Sequence, residues 1–169
     1  MKLSLSIDAP GDSQDGGSNA NPDYPETEIY STEKVSRVLE EYLREIYPSS
    51  ENYEAAEISL SFMTTDEIRA LNREYRDVDE ATDVLSFPMI DDMAGDMPAG
   101  MPLILGDIVI CPEEVSRLHP ELSQRDGISL MIAHSFLHLL GYDHDTDEKQ
   151  SAMWQKQDEI SRKILGVLE

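Results

Sequence analysis

Residues 128–144 have the sequence ISLMIAHSFLHLLGYDH, which predicts both the central helix of the fold and a chemical site. The first thirteen of these residues are apolar almost all round, a pattern typical of a helix that is buried on most of its faces. His134 and His138 lie four residues apart, so a helix places them on one face with Cβ atoms about 5–6 Å apart. The sequence therefore predicts a buried helix that presents two imidazoles side by side.

A third histidine follows the end of this helix. Gly141 can adopt the left-handed conformation that turns a chain back after a helix, so we expect His144 to approach the other two imidazoles. Buried imidazoles without partners would each cost about 1–3 kcal/mol, and metal coordination removes that cost while using the neutral ring that burial favours. We therefore predict one metal ion bound by His134, His138 and His144, with an open position that is typical of catalytic zinc.

The composition limits the class of protein. A length of 169 residues suits one domain with a hydrophobic core, which we expect to span residues 1–169. No apolar run is long enough for a signal peptide or for a membrane span of about 20 residues, so we expect a cytoplasmic chain with no membrane partner. Cys111 is the single cysteine, which excludes a disulfide framework and a cysteine zinc cluster. Metal ligands must then be histidine or carboxylate.

The charge balance is strongly acidic. The chain has 35 acidic and 13 basic residues, for a formal net charge of -22. Taken alone, this charge argues against nucleic-acid binding, because phosphate recognition rests on lysine and arginine. The acidic residues are spread over the whole chain, and one hypothesis is adaptation to a high-salt cytoplasm.

Apolar periodicity predicts an α+β fold, with a small mixed four-stranded sheet packed with about five helices. The predicted strands are Leu3–Ile7, Ile58–Phe62, Val84–Phe87 and Leu103–Cys111. The predicted helices begin at Ser31 or Thr32, after a capping box at Thr64–Glu67, at Pro112, in the apolar histidine segment, and around Met153, Trp154, Ile160 and Ile164. Residues 10–26 and 91–102 are rich in glycine, proline and polar residues, which predicts a flexible insertion and a flexible loop.

The histidine spacing is also that of the metzincin proteases, but position 135 differs. Those proteases have a glutamate after the first histidine as general base toward the zinc-bound water. Ser135 cannot serve as a base near neutral pH, so the sequence disfavours peptide hydrolysis by that mechanism. A metzincin-like peptidase with another base stays open as an alternative.

Five separated blocks add a wider pattern. They are LNREYR at 71–76, ATDVLSFP at 81–88, LGDIVI at 105–110, HSFLHLLGYDH at 134–144 and MWQKQDEI at 153–160. In this order they resemble the YbeY family of bacterial metal-dependent endoribonucleases. The chain departs from the family at Ser135, where glycine is usual, and in the insertion at residues 10–26. Serine disfavours a helix less than glycine does, so we expect the site to survive.

The resemblance implies an α+β fold and one zinc ion held by His134, His138 and His144. It also implies cleavage of single-stranded RNA in ribosomal RNA maturation, including the 3′ end of the small-subunit RNA, and in ribosome quality control. The ribosome or its proteins are the implied partners. Within this resemblance His134 and Arg76 are the catalytic candidates. A metal ion polarises a phosphoryl oxygen and lowers the pKa of a bound water, so RNA cleavage does not require the protease glutamate.

Arg76 belongs to a basic stripe of three arginines on the predicted second helix. Arg69, Arg73 and Arg76 fall at spacings of four and three, on a single helical face. The planar guanidinium binds two phosphate oxygens at once, so all three are candidate RNA contacts and Arg76 is expected to hold the phosphate. For Arg69 and Arg73, a solvated face neutralised by Asp66, Glu74 and Asp77 is an equal alternative.

Two carboxylates flank the third histidine. Asp143 and Asp145 are candidates to orient an imidazole of the centre, and capping or solvation is an equal alternative for each. His119 is expected to be an ordinary residue at a helix end. The remaining alternative for the whole chain is a ribosome-assembly factor in which the zinc is structural.

Overall fold

The computed structural model describes residues 1–8, 31–90 and 100–168, and it confirms the predicted α+β class. The strands are β1 (Lys2–Asp8), β2 (Ala55–Phe62), β3 (Val84–Pro88) and β4 (Leu103–Ile110). The α-helices are α1 (Thr32–Ile46), α2 (Thr65–Arg76), α3 (Pro112–Leu118), α4 (Gln124–Leu139) and α5 (Asp147–Leu168), with a short 3-10 helix at Pro48–Asn52. The predicted insertion at 10–26 and most of the predicted loop at 91–102 lie outside the described residues.

Local side-chain signals begin the first two α-helices. The Ser31 hydroxyl accepts a hydrogen bond from the Lys34 backbone N–H and caps α1. Thr64 and Glu67 form both bonds of a capping box at α2, as the sequence predicts. Each bond satisfies a backbone N–H that the helix itself leaves without an acceptor. These polar caps fix where the helices start.

The sheet has the strand order β1-β2-β4-β3. β1, β2 and β4 are parallel, whereas β3 is antiparallel to β4 and forms one edge. At the end of β4, successive residues face opposite sides of the sheet. Ile108 and Ile110 join the main core, whereas Val109 packs with Ile68 of α2. The main core lies between the sheet and helices α1, α4 and α5, and α2 covers part of the other face.

Gly106 allows a close approach between β3, β4 and α4. Its φ angle is +139°, and a Cβ atom there would lie 2.2 Å from the carbonyl oxygen of Phe87 and 2.9 Å from Cδ2 of Leu139. Only glycine avoids both the backbone strain and this overlap. The end of α4 that carries His138 is therefore packed directly against the β3–β4 pair.

The sequence predicts an amphipathic α5 from four apolar residues, and three of these four are buried. Met153, Ile160 and Ile164 are fully buried, but the side chain of Trp154 is 52% exposed. Trp154 therefore lies on the edge of the apolar stripe and not within it. In the described ranges, no helix is both long enough and apolar enough to cross a membrane.

Candidate metal centre

Three histidines meet at the C-terminal end of α4. One potential ligand atom from each of His134, His138 and His144 lies within 4.8 Å of the other two. The Nε2 atoms of His134 and His138 are 3.0 Å apart, and the ring centroids of these residues are separated by 4.5 Å. The His144 ring lies 6.2 Å from the first ring and 5.4 Å from the second. The structure therefore brings the three predicted ligands together.

The turn after α4 places the third histidine. Gly141 has a φ angle of +88°, which confirms the left-handed conformation expected there. Its N–H donates to the carbonyl of His138, and the Tyr142 N–H donates to the carbonyl of Leu137, both at 3.0 Å. These two bonds form a Schellman motif, which satisfies the last helical carbonyls and reverses the chain. His144 is thereby returned toward the end of its own helix.

Hydrogen bonds orient the two helical imidazoles. Nδ1 of His138 lies 2.9 Å from the carbonyl oxygen of Tyr142, and Nδ1 of His134 lies 2.7 Å from Oε1 of Gln157 on α5. A carbonyl oxygen can only accept, so Nδ1 of His138 carries the proton and its Nε2 offers a lone pair when the ring is neutral. Oε1 of Gln157 likewise accepts from Nδ1 of His134, which leaves the lone pair on Nε2 of His134 free as well.

Two lone pairs that face one another at 3.0 Å need a cation between or beside them. Burial lowers the pKa of His138, and the neighbouring His134 lowers it further. The neutral ring is the form that binds a metal ion. The donor set therefore fits a divalent metal, and three imidazole nitrogens suit zinc among other transition metals.

The centre is open to solvent on one side. His134 and His138 are half-buried, whereas His144 is exposed. A site with three protein ligands and solvent access keeps a coordination position for water or substrate, which is the catalytic arrangement. Ser135 is buried, and in the described part of the chain its Oγ has no hydrogen-bond partner. It is thus withdrawn from solvent and cannot stand in for the protease glutamate.

Arg76 lies against the edge strand β3. Its Nη2 donates to the carbonyl of Ser86 in β3 at 3.2 Å. The next residue, Phe87, lies against Gly106, which also adjoins Leu139, and Leu139 directly follows His138. The edge strand thus links Arg76 to the end of α4 that bears the histidines.

The other two arginines of the stripe share one acidic partner. Arg69 donates twice to the carboxylate of Asp79, at 3.0 and 3.2 Å, and Arg73 lies 4.0 Å from the same group. The hydrogen bond from Arg69 lowers the pKa of Asp79. Asp79 follows α2 in the chain, so helix spacing did not reveal it. The stripe is partly neutralised at Arg69 and Arg73, whereas Arg76 contacts a neutral carbonyl.

The two flanking carboxylates contact groups other than the imidazoles. Oδ1 of Asp143 accepts from the backbone N–H of His144 at 2.7 Å, which steadies the chain at the third histidine. Asp145 forms an ion pair with Lys149 at 3.0 Å, and the hydrogen bond from Lys149 lowers the pKa of Asp145. His119 ends α3 as expected, with its Nε2 2.9 Å from Oδ2 of Asp83.

The contribution of Gln157 was not predicted from the sequence. The residue stands in the block at 153–160, but its amide carries no chemical signal of its own. Only the packing of α5 on α4 shows that this buried side chain meets His134, 23 residues away. A polar residue among the buried positions of an amphipathic helix is the signal that points to such a partner.

A family model and curated relatives agree on one family. Residues 22–165 match the family described as endoribonuclease YbeY. The endoribonuclease YbeY of Geobacillus thermodenitrificans is 38% identical over 140 residues, covering 80% of this chain and 89% of that protein. The one from Clostridioides difficile is 41% identical over 137 residues, covering 78% and 89%. A solution structure of a Thermotoga maritima protein aligns with a TM-score of 0.49 and 25% identity, covering 96% of this chain and 89% of that chain.

Proposed function

The chain belongs to the YbeY endoribonuclease family, and from that premise we propose that it cleaves single-stranded ribosomal RNA at a zinc centre formed by His134, His138 and His144. The family makes it a nuclease, a hydrolase of phosphodiester bonds. Its proposed role is ribosomal RNA maturation, including the 3′ end of the small-subunit RNA, together with ribosome quality control. The proposed place of action is the cytoplasm, with the ribosome or its proteins as partners.

One observation carries the proposal. Two imidazoles are held by Nδ1 contacts so that their Nε2 atoms face each other at 3.0 Å, and a third imidazole completes the triangle. When bound there, a zinc ion supplies Lewis acidity to a phosphoryl oxygen and to a water molecule. The protein contributes neutral nitrogen donors and leaves one side open to substrate. Nothing in this arrangement requires a glutamate at position 135.

Arg76 is the proposed phosphate ligand. Its contact with the Ser86 carbonyl engages one nitrogen and leaves other guanidinium N–H groups available. A planar guanidinium offers paired donors to two phosphate oxygens, and it keeps its charge at any working pH. Negative charge that builds up on the phosphate during cleavage would therefore be stabilised from the edge-strand side.

The test compares wild type with His138→Ala, and uses His119→Ala as the matched control. The first change removes a ligand, and the second removes the histidine that pairs with Asp83 instead. We expect His138→Ala to lose bound zinc and to stop cutting a structured RNA with a single-stranded tail. His119→Ala should keep both properties. Bound metal is measured by elemental analysis and cleavage by gel electrophoresis.

The outcomes separate the proposal from its rivals. If His138→Ala loses zinc but cuts at the wild-type rate, the metal is not catalytic. If wild type holds zinc, cuts no RNA and unfolds when zinc is removed, the metal is structural and the chain serves assembly instead. Arg76→Lys then tests phosphate binding, because lysine keeps the charge but loses the paired donors. We expect it to raise KM for RNA while zinc content stays the same.

A further inference from the structure

Trp154 is an exposed aromatic surface on α5. Its side chain is 52% exposed, although its helical neighbours Met153, Gln157 and Ile160 are buried. A tryptophan offers a large apolar face, so covering this ring with another flat group would remove apolar area from water. Trp154 is the single tryptophan of the chain.

The register of two helices places Trp154 one helical turn from Gln157, the partner of His134. Helices α4 and α5 are joined by a short turn, and His134 of α4 contacts Gln157 of α5. Neighbouring helices with such a turn are antiparallel, so residues later in α4 lie level with residues earlier in α5. Trp154 precedes Gln157 by three residues and is thus level with the segment between His134 and His138. Its distance along the helix from Gln157 is only about 4.5 Å.

The orientation of α5 turns the Trp154 ring away from α1. Lys163 ion-pairs with Glu41 and lies 5.1 Å from the Tyr42 ring centroid, so this edge of α5 faces α1. Trp154 is nine residues before Lys163, which on a helix is about half a turn out of phase. The indole therefore lies on the opposite edge of α5, away from α1.

The charge of the molecule favours a neutral contact with RNA at this place. The chain has a net charge of -22, and the Arg69 guanidinium is already held by Asp79. Stacking on an aromatic ring does not depend on phosphate attraction, and every base offers a flat face. An acidic protein can thus hold an RNA base by stacking where a basic groove is not available.

Given the proposed nuclease function, on which this inference rests, we propose that Trp154 is the platform on which an unpaired RNA base stacks next to the bond that is cut. A base in a duplex is already stacked on its neighbours and paired, so its faces are not available. The platform therefore selects single-stranded RNA. It acts by holding the substrate, while the histidines and Arg76 act on the phosphate.

Fluorescence and kinetics test this platform directly. Because Trp154 is the single tryptophan, its emission reports one side chain. We expect the emission of the zinc-loaded enzyme to match that of a solvated indole, and to be quenched by a slowly cleaved phosphorothioate single-stranded RNA. The same sequence in duplex form should quench little. Trp154→Ala should raise KM for single-stranded RNA by about 5- to 150-fold, the stacking contribution of one base, with little change in kcat.

Two variants serve as controls. Trp154→Phe keeps an aromatic face and should restore most of the lost affinity. Leu118→Ala removes another exposed apolar side chain, 44% exposed on α3, and should leave KM unchanged. Zinc content should be the same in all three variants, because none of them changes a ligand.

The possible failures are distinct. Should wild type not cut RNA at all, the proposed function fails. Should wild type cut RNA while Trp154→Ala keeps the wild-type KM and RNA leaves the emission unchanged, only the platform is refuted. An emission maximum typical of a buried indole in the free enzyme would also overturn it, because the ring would then be covered by protein.

Discussion

The substitution Gly106→Ala tests how the sheet positions the metal centre. The new Cβ would lie 2.2 Å from the carbonyl oxygen of Phe87, where ordinary contact begins at 3.4 Å. Strand β3 must therefore move by about 1 Å, or the backbone of Gly106 must leave its φ angle of +139°. Either change separates β3 from the end of α4, because Leu139 also lies within 2.9 Å of the new atom.

The expected cost has two parts. An alanine forced into a glycine-only backbone region costs about 1–3 kcal/mol. Forcing extra volume into a packed interior costs a further 1–3 kcal/mol, roughly. A midpoint of about 4 kcal/mol lowers Tm by roughly 8–16 °C for a domain of this size. We expect zinc affinity to fall as well, since Leu139 follows His138 on the helix.

Thermal unfolding followed by circular dichroism measures the first effect, and zinc titration measures the second. Gly166→Ala is the matched control, because an added Cβ there meets no atom within 4 Å. Alanine is a better helix former than glycine, so Gly166→Ala should be more stable than wild type by about 0.5–1 kcal/mol. A Tm for Gly106→Ala equal to that of wild type would refute the close approach at Gly106.

Three further predictions follow from buried groups. Gln157→Leu should weaken zinc binding about 10- to 100-fold, as measured by calorimetry. Gln157→Glu keeps an acceptor for His134 and should bind zinc at least as well as wild type. A leucine variant with the zinc affinity of wild type would contradict this prediction. Burial raises the pKa of the Cys111 thiol, so a thiol reagent at pH 8 should label it only in denaturant. Burial raises the pKa of Tyr42 to about 12 from 10.0, so the neutral phenol stabilises the fold by about 2–3 kcal/mol below pH 10. That stability is lost as pH rises from 10 to 12, and chemical unfolding of Tyr42→Phe should lack this loss.

The sequence predicts best those features that arise within one or two helical turns. The paired histidines, the cap at Ser31 and the left-handed Gly141 each depend on residues three to seven positions apart. Backbone geometry fixes such contacts almost independently of the rest of the fold. The strands were also found, because alternation or an apolar run between breakers is a local signal.

Contacts across the fold were not predicted, for a physical reason. Gln157 meets His134 only because α5 packs on α4 in one register, and that register is set by the whole core. Trp154 belongs to the same helix, and its apolar character alone suggested burial. The side of a helix that is covered in the fold depends on the elements next to it. Periodicity locates that side only to within about one residue in either direction.

The acidic composition and the nuclease activity are compatible once the contacts are considered one by one. Nonspecific attraction to RNA needs a field of positive charge, and this chain has the opposite net charge. In the proposed site, binding rests on a few short-range contacts, which are a metal ion, one guanidinium and one aromatic face. Short-range contacts are screened by salt less than a long-range field is. The RNA affinity of this enzyme should therefore fall less steeply with salt than the RNA affinity of a basic nuclease. The measurement is the slope of log Kd against log salt concentration. A slope as steep as that expected for many phosphate contacts would contradict this prediction.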